Sequence, residues 1–382
     1  TREDGSEGLA SCPSGASTGT YEAVELRDKK KAVENITNII APKLIGLGSS
    51  QQKMIDDLLI QLDGTSNKAK LGANATLPVS IAVCKAETAS QRLPLYQYIQ
   101  KLTNTKPATH IPIPLFNILN GGKHAGGNID FQEFIVIPNK SSTFAQGLKH
   151  GVLVYMALKK ILEEKHLPTL VGDEGGFGPT LSSNREALIL LKQAIEASGM
   201  IFAKDMFLGL DVASGSFYKD GKYFLKEKPE GATAQELIDL YKSMNDTYQF
   251  LYLEDGLSED DFDSWNKLKS TLSLQTLVVG DDLTVTNPNR LQKAIEKKAI
   301  SGIIIKPNQI GTVSETIEVV EMAKQNNIKT IVSHRSGETN DTFIADFAVG
   351  VESDFVKFGA PARGERVAKY NRLLAIEQEI SL

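Results

Sequence analysis

Little in this chain points to disulfide staples, membranes or nucleic acid. Only two cysteines, Cys12 and Cys84, occur in 382 residues, which excludes a disulfide framework and a cysteine-based zinc site. Cys84 lies in the apolar run Ala82-Val-Cys-Lys-Ala86 and reads as a buried thiol, so a reducing cytoplasm is the expected location. No apolar run approaches the roughly 18 residues of a membrane-spanning helix. Positive charge is in deficit, with 42 Lys and Arg against 47 Asp and Glu and a net charge of -5, so no overall basic field is available for nucleic acid. The small-residue segment Pro13-Ser-Gly-Ala-Ser-Thr-Gly19 lacks the Gly-Lys-Ser/Thr ending of a P-loop. No secretory leader is visible at the start, and there is no low-complexity tract.

What is present fits two domains of ordinary composition, 41% hydrophobic and 23% charged. Residues 1–106 read as a small α+β domain and 107–382 as a larger one, with the polar stretch Thr103 to Ala108 between them. In the first, Ala32, Ile36, Ile39 and Ile40 recur at helical spacing, as do Met54, Leu58 and Leu62. Ala73 to Ala89 is a further helical stretch, with Pro78 expected to interrupt it. The loop at 13–19 carries hydroxyls at Ser14, Ser17 and Thr18 that suit phosphate or metal, although composition alone favours an ordinary surface turn.

In the second domain, Pro112 to Leu119 and Phe131 to Pro138 read as two strands joined by Asn120-Gly-Gly-Lys-His-Ala-Gly-Gly127. No helix separates them, so a hairpin is expected, with His124 on its loop either solvated or part of a lid. Residues 143–166 read as a helix pair. Thereafter one pattern recurs: a short apolar run ends in a polar residue and a helical segment follows. Phe207-Leu-Gly-Leu ends at Asp211, Phe250-Leu-Tyr-Leu at Glu254, and Thr276-Leu-Val-Val-Gly at Asp281. Gly302-Ile-Ile-Ile ends at Lys306, Thr330-Ile-Val-Ser at His334 and Arg335, and Phe355-Val at Lys357. Such βα units in series predict a (β/α)8-type barrel, whose C-terminal strand ends share one mouth.

Three carboxylates crowded there repel one another, and an all-oxygen cage of Asp211, Glu254 and Asp281 suits Mg²⁺ or Mn²⁺. A lysine crowded by a divalent ion and a second ammonium is pushed towards its neutral, basic form, which makes Lys306 a base candidate. Glu174, in Gly172-Asp-Glu-Gly-Gly-Phe177, is an acid candidate if buried and an acidic turn if not. Arg335 and Lys357 are anion binders. These parts describe removal of a proton beside a carboxylate, with metal at the developing negative charge and an acid for a leaving hydroxyl. That is a Mg²⁺-dependent lyase or epimerase.

At these residues the sequence closely resembles the enolase family, the phosphopyruvate hydratases of glycolysis. The resemblance rests on Ser14 to Gly19, Asn120 to Gly127, Gln132-Glu133, Gly172 to Phe177, Leu210-Asp-Val-Ala213 and Glu254-Asp255. It continues in Asp281-Asp-Leu-Thr-Val-Thr-Asn287, Lys306-Pro-Asn-Gln-Ile-Gly311, Ser333-His-Arg-Ser-Gly-Glu-Thr339, and Lys357 with Gly359-Ala-Pro-Ala-Arg363. It implies a barrel that begins ββαα and interconversion of 2-phospho-D-glycerate and phosphoenolpyruvate through an enediolate. Lys306 is then the base at C2, and Glu174, assisted by Glu133, is the acid for the C3 hydroxyl, with His334 in the same catalytic group. Asp211, Glu254 and Asp281 match ligands of a first Mg²⁺, and Ser17 matches a loop ligand of a second that arrives with substrate. Arg335 and Ser336 match phosphate binders, Lys357 and Gln132 further substrate contacts, and His124 a lid residue. The resemblance also implies a homodimer or larger homo-oligomer.

Two departures from the family pattern stand out. Its first β-strand is absent from the start, and Arg27-Asp28 runs straight into Lys29-Lys-Lys, where the family usually carries a short further segment. Segments such as Glu254-Asp-Gly have a bacterial character. Two alternatives remain. One is another sugar-acid dehydratase of the superfamily. The other is a binding role, since family members also act as surface receptors for plasminogen and join RNA-processing complexes, with a secondary cell-surface or secreted pool.

Overall fold

The computed structural model describes residues 1–16, 18–103 and 110–381. Its centre is a closed barrel of eight strands: β1 (Ile113–Asn120), β2 (Glu133–Pro138), β3 (Met206–Asp211), β4 (Tyr252–Glu254), β5 (Leu277–Gly280), β6 (Gly302–Ile305), β7 (Lys329–Ser333) and β8 (Phe355–Lys357). β2 runs antiparallel to both β1 and β3, and every other neighbouring pair is parallel, with β1 closing on β8. The barrel therefore starts with the expected hairpin. Alternation along the strands sends Leu115, Ile135, Ile137, Tyr252, Val279, Ile304, Ile331 and Phe355 into one buried cluster that fills the interior. The opposite faces pack against the surrounding helices in a larger apolar layer that includes Trp265, Tyr241 and Phe347.

Two local expectations fail for physical reasons. The stretch 143–166 holds one helix, Phe144–Glu164, entered through a capping box between Thr143 and Gln146. Its glycines do not divide it: a Cβ at Gly151 would lie 2.5 Å from the Phe116 ring, so glycine there lets the helix lie close on β1. The second helix of the ββαα start is Asn184–Ala197, capped by Ser183 beyond the 172–177 turn. Likewise Pro78 does not break its helix, which runs unbroken over Ala73–Gln91. The missing N–H falls near the N-terminal end, and burial of Leu77, Ile81 and Cys84 carries the helix through.

From Lys29 to Thr103 the chain is mainly helical, with Lys29–Asn35, Gln52–Asp63, Ala73–Gln91 and Leu95–Thr103 as main elements. Asp28 caps the first of these through the N–H groups of Lys30 and Lys31. A satellite core of Ala32, Ile40, Leu59, Leu71 and Ala75 holds this region together. The segment ahead of it lies against the barrel loops. Ser14 and Gly337 exchange backbone bonds of 2.9 and 2.8 Å, and Ala23 N–H donates to the Gln309 carbonyl at 2.8 Å. Glycine is needed at 337, where a Cβ would stand 2.7 Å from the Ser14 carbonyl oxygen. A three-stranded antiparallel sheet, Tyr218–Lys219, Lys222–Leu225 and Lys228–Ala232, interrupts the barrel series after β3. No described helix is long and apolar enough to cross a membrane.

Candidate active site

Strand direction gathers the polar residues. In the parallel strands the C-terminal ends share one mouth, so Asp211, Glu254 and Lys357 end β3, β4 and β8 there. Asp281, Lys306 and His334 directly follow β5, β6 and β7. β2 runs the other way, so it is its first residue, Glu133, that reaches the same mouth. The register sets Glu133 opposite Asp211 and Asp211 opposite Glu254, which makes a lateral row of three carboxylates. All three are buried. One cavity is lined by this row's Glu133 and Asp211 together with Gln132, Glu174, Asp281, Lys306, His334, Arg335, Ser336 and Lys357.

Lys357 stands in the middle of the row. Its Nζ lies 2.8 Å from Asp211, 2.7 Å from Glu254 and 3.2 Å from Glu133. Burial works against its charge, but the three carboxylates outweigh burial and hold it well above the ordinary lysine range. The row still carries excess negative charge. Burial and then Asp211 push Glu254 up to about 8, and burial and then Glu174 push Glu133 well above the carboxylate range. Tyr252 donates its hydroxyl to Glu254 Oε2, while Glu254 Oε1 and Glu133 Oε2 are buried without a hydrogen-bond partner.

Around the rim, Asp281 pairs with Lys306 and accepts from Gln309 Nε2 at 3.0 Å. Burial alone would raise Asp281, yet the Lys306 charge brings it below its ordinary value. Lys306 is raised in turn, because Asp281 outweighs the burial that would lower it. The sequence reading expected a lysine driven towards neutrality, whereas here the carboxylate beside it keeps the charge on. Arg335 donates to Glu22 at 2.8 Å and to Asn308 Oδ1 at 3.0 Å. Ser336 Oγ accepts from the backbone N–H of Ala16 at 2.7 Å.

On the other side, Glu174 accepts from Asn117 Nδ2 at 2.9 Å. Its Oε1 lies 3.3 Å from His334 Nε2. Burial lowers His334 to about 3, so the imidazole is neutral across the working range. Glu174 itself is buried, the condition on which it stands as an acid candidate and not an acidic turn.

The donor set fits a hard divalent cation, because it is all oxygen and one buried carboxylate oxygen, Glu254 Oε1, has no partner. A tighter group of carboxylates is Asp255, Asp281 and Asp282, whose oxygens lie within 4.8 Å of one another. Asp255 accepts the N–H groups of Asp281 and Asp282 at 2.9 and 2.8 Å, so it braces the loop that aims Asp281. Burial, and then the charge of Asp281, raise Asp282 to about 7.

Of the other sequence candidates, Gln132 donates its backbone N–H to the Asp211 carbonyl at 3.1 Å. His124 falls in the 3-10 turn Gly122–Ala125 between β1 and β2. Ser17 lies outside the described residues. Sequence reasoning missed Glu22, Asn117, Asp255 and Arg366. Asp255 and Asn117 lie within quoted segments without having been given a role, but Glu22 and Arg366 carried no local signal.

A closed barrel with buried acids and lysines gathered at its C-terminal mouth defines the TIM-barrel class, in which this face is the reactive one. Comparison with family models carries the assignment further. The model described as "Enolase, C-terminal TIM barrel domain" matches residues 108–382, and "Enolase, N-terminal domain" matches residues 1–99. The chain belongs to the enolase family.

Proposed function

We propose that the chain is a glycolytic hydro-lyase that interconverts 2-phospho-D-glycerate and phosphoenolpyruvate with Mg²⁺. The observation that carries this reading is that the Glu174–His334 group and the Lys306–Asp281 pair line one cavity from different strands. Abstraction of a proton beside a carboxylate and protonation of a leaving hydroxyl need separate groups on separate sides of the substrate. Lys306 takes the C2 proton. Glu174 delivers a proton to the C3 hydroxyl, with Glu133 and His334 around it. Arg335 and Ser336 receive the phosphate, and Lys357 and Gln132 make further substrate contacts.

Asp211, Glu254 and Asp281 would hold the first Mg²⁺ and Ser17 a second; the cation supplies positive charge where the substrate carboxylate becomes more negative. Lys306 would gain from the same arrangement, because an Asp281 committed to a cation would hold the lysine's proton less firmly. A division at residues 106–107, a cytoplasmic location and a homo-oligomeric assembly belong to the same reading. The test is phosphoenolpyruvate formation from 2-phosphoglycerate, followed spectrophotometrically with Mg²⁺ and then with EDTA. Turnover that EDTA abolishes supports the proposal; a folded, Mg²⁺-loaded protein that makes no phosphoenolpyruvate refutes it.

A further inference from the structure

Arg366 sits in the C-terminal helix Gly364–Ser381 and is fully buried at the barrel mouth. Its guanidinium joins four points of the site. Nη1 lies 2.8 Å from His334 Nδ1 and donates to the Arg335 carbonyl at 2.6 Å. Nη2 donates to the carbonyls of Asp173 at 3.0 Å and Ser336 at 2.6 Å. Two of these carbonyls adjoin residues assigned to chemistry: Asp173 precedes Glu174, and Arg335 follows His334. The packing is tight, since a Cβ at Gly359 would stand 2.9 Å from His334 Cε1 and 3.2 Å from Arg366 Cδ.

The chemistry of the contact is one-sided. A guanidinium offers only donors and keeps its charge throughout the accessible pH range. A neutral imidazole carries one N–H and one lone pair. With Arg366 donating to Nδ1, the lone pair must be on Nδ1 and the proton on Nε2. That proton then faces Glu174 Oε1, 3.3 Å away, while Asn117 supplies a donor to Glu174 Oε2. The other tautomer would set two donors against each other at Nδ1 and turn a lone pair towards the carboxylate.

We infer that Arg366 is a positioning residue: it fixes His334 as the Nε2–H tautomer and so keeps a donor, never a lone pair, facing Glu174 when that carboxylate is ionised. The inference rests on the reading of Glu174 as the acid. On that reading Glu174 loses its proton in the elimination direction, and the carboxylate left behind meets donors at both oxygens. Arg366 acts through His334 and touches no reacting atom.

The direct test needs no substrate. Long-range ¹H–¹⁵N spectra of the metal-free protein resolve histidine tautomers, and the chain has only 5 His. The His334 signals are assigned by their loss in His334→Gln. The expected spectrum is a neutral Nε2–H imidazole that persists below pH 6; an Nδ1–H tautomer or an imidazolium there would overturn the inference. This readout stands even if the protein forms no phosphoenolpyruvate, which would refute the proposed function alone.

The kinetic test compares Arg366→Met with Arg366→Lys, which keeps one donor. Arg366→Met should lower kcat for dehydration by about a hundredfold, with KM little changed and C2 proton exchange retained. Arg366→Lys should recover part of that loss, and the loss should shrink in a His334→Gln background. An equal fall in exchange and dehydration, or an undiminished effect in the His334→Gln background, would make Arg366 a purely structural residue. If Arg366→Met does not fold, the wild-type spectrum decides.

Discussion

The two sides of the barrel mouth are held in opposite ways. On the side of Glu174, neutrality is the theme: burial lowers His334 to about 3 and raises Glu133, and the contacts are Asn117 on Glu174 and the Arg366 guanidinium on His334. On the side of Lys306 everything is paired charge, Lys306 with Asp281 and Arg335 with Glu22. The first side is built from β1, the 172–177 turn and the C-terminal helix. The second takes Glu22 from the segment that lies over the mouth. On the proposed reading, the difference teaches how one cavity can hold a proton for delivery on one side and free a base on the other. Burial keeps protons on carboxyls, whereas an ion pair holds a lysine's charge only until its partner is engaged elsewhere.

The sharpest way to break this comparison is Lys306→Ala. Loss of the base should lower both C2 exchange and dehydration by about 10²–10⁴-fold. Calorimetric Mg²⁺ affinity should hold or rise, because Asp281 loses its competing ammonium. A large fall in Mg²⁺ binding would show that the lysine organises the carboxylates instead.

A smaller effect is expected at Glu22. Glu22→Gln removes the carboxylate that occupies Arg335, so the metal-free protein should bind inorganic phosphate several-fold more tightly. Weaker binding in calorimetry would mean that Glu22 orients Arg335 for the anion and does not compete with it.

The smallest effect concerns stability. His334 has a folded-state value near 3 against 6.5 for the free side chain. The unfolded chain therefore takes up a proton that the folded one refuses, and stability falls as pH drops from about 6.5 towards 3. In metal-free denaturant titrations His334→Gln should flatten that decline by up to one proton. An unchanged slope would show that His334 is not held neutral by the fold.

Much of the site was legible because strand ends are local features. A short apolar run closed by Asp211, Glu254 or Lys306 needs no knowledge of the rest of the chain. The hairpin was legible from the lack of any α-helical pattern between Asn120 and Glu133. Other features depend on partners far away in sequence. Lys357 reads as an anion binder, yet its nearest anions are the protein's own Asp211, Glu254 and Glu133. Arg366 looks like one more charge on an amphipathic helix until β7 brings His334 to it. The long helix over 144–164 was read as a pair for a related reason: the Phe116 ring that Gly151 packs against comes from β1 and is invisible locally.

The central claim is that the two sides divide the chemistry, and Glu174→Gln tests it most directly. The variant is given 2-phosphoglycerate and Mg²⁺ in deuterated water, and C2 exchange and phosphoenolpyruvate are followed by proton NMR. The account predicts continued exchange at C2 with water loss slowed by about 10²–10⁴-fold. Equal loss of exchange and dehydration would contradict it.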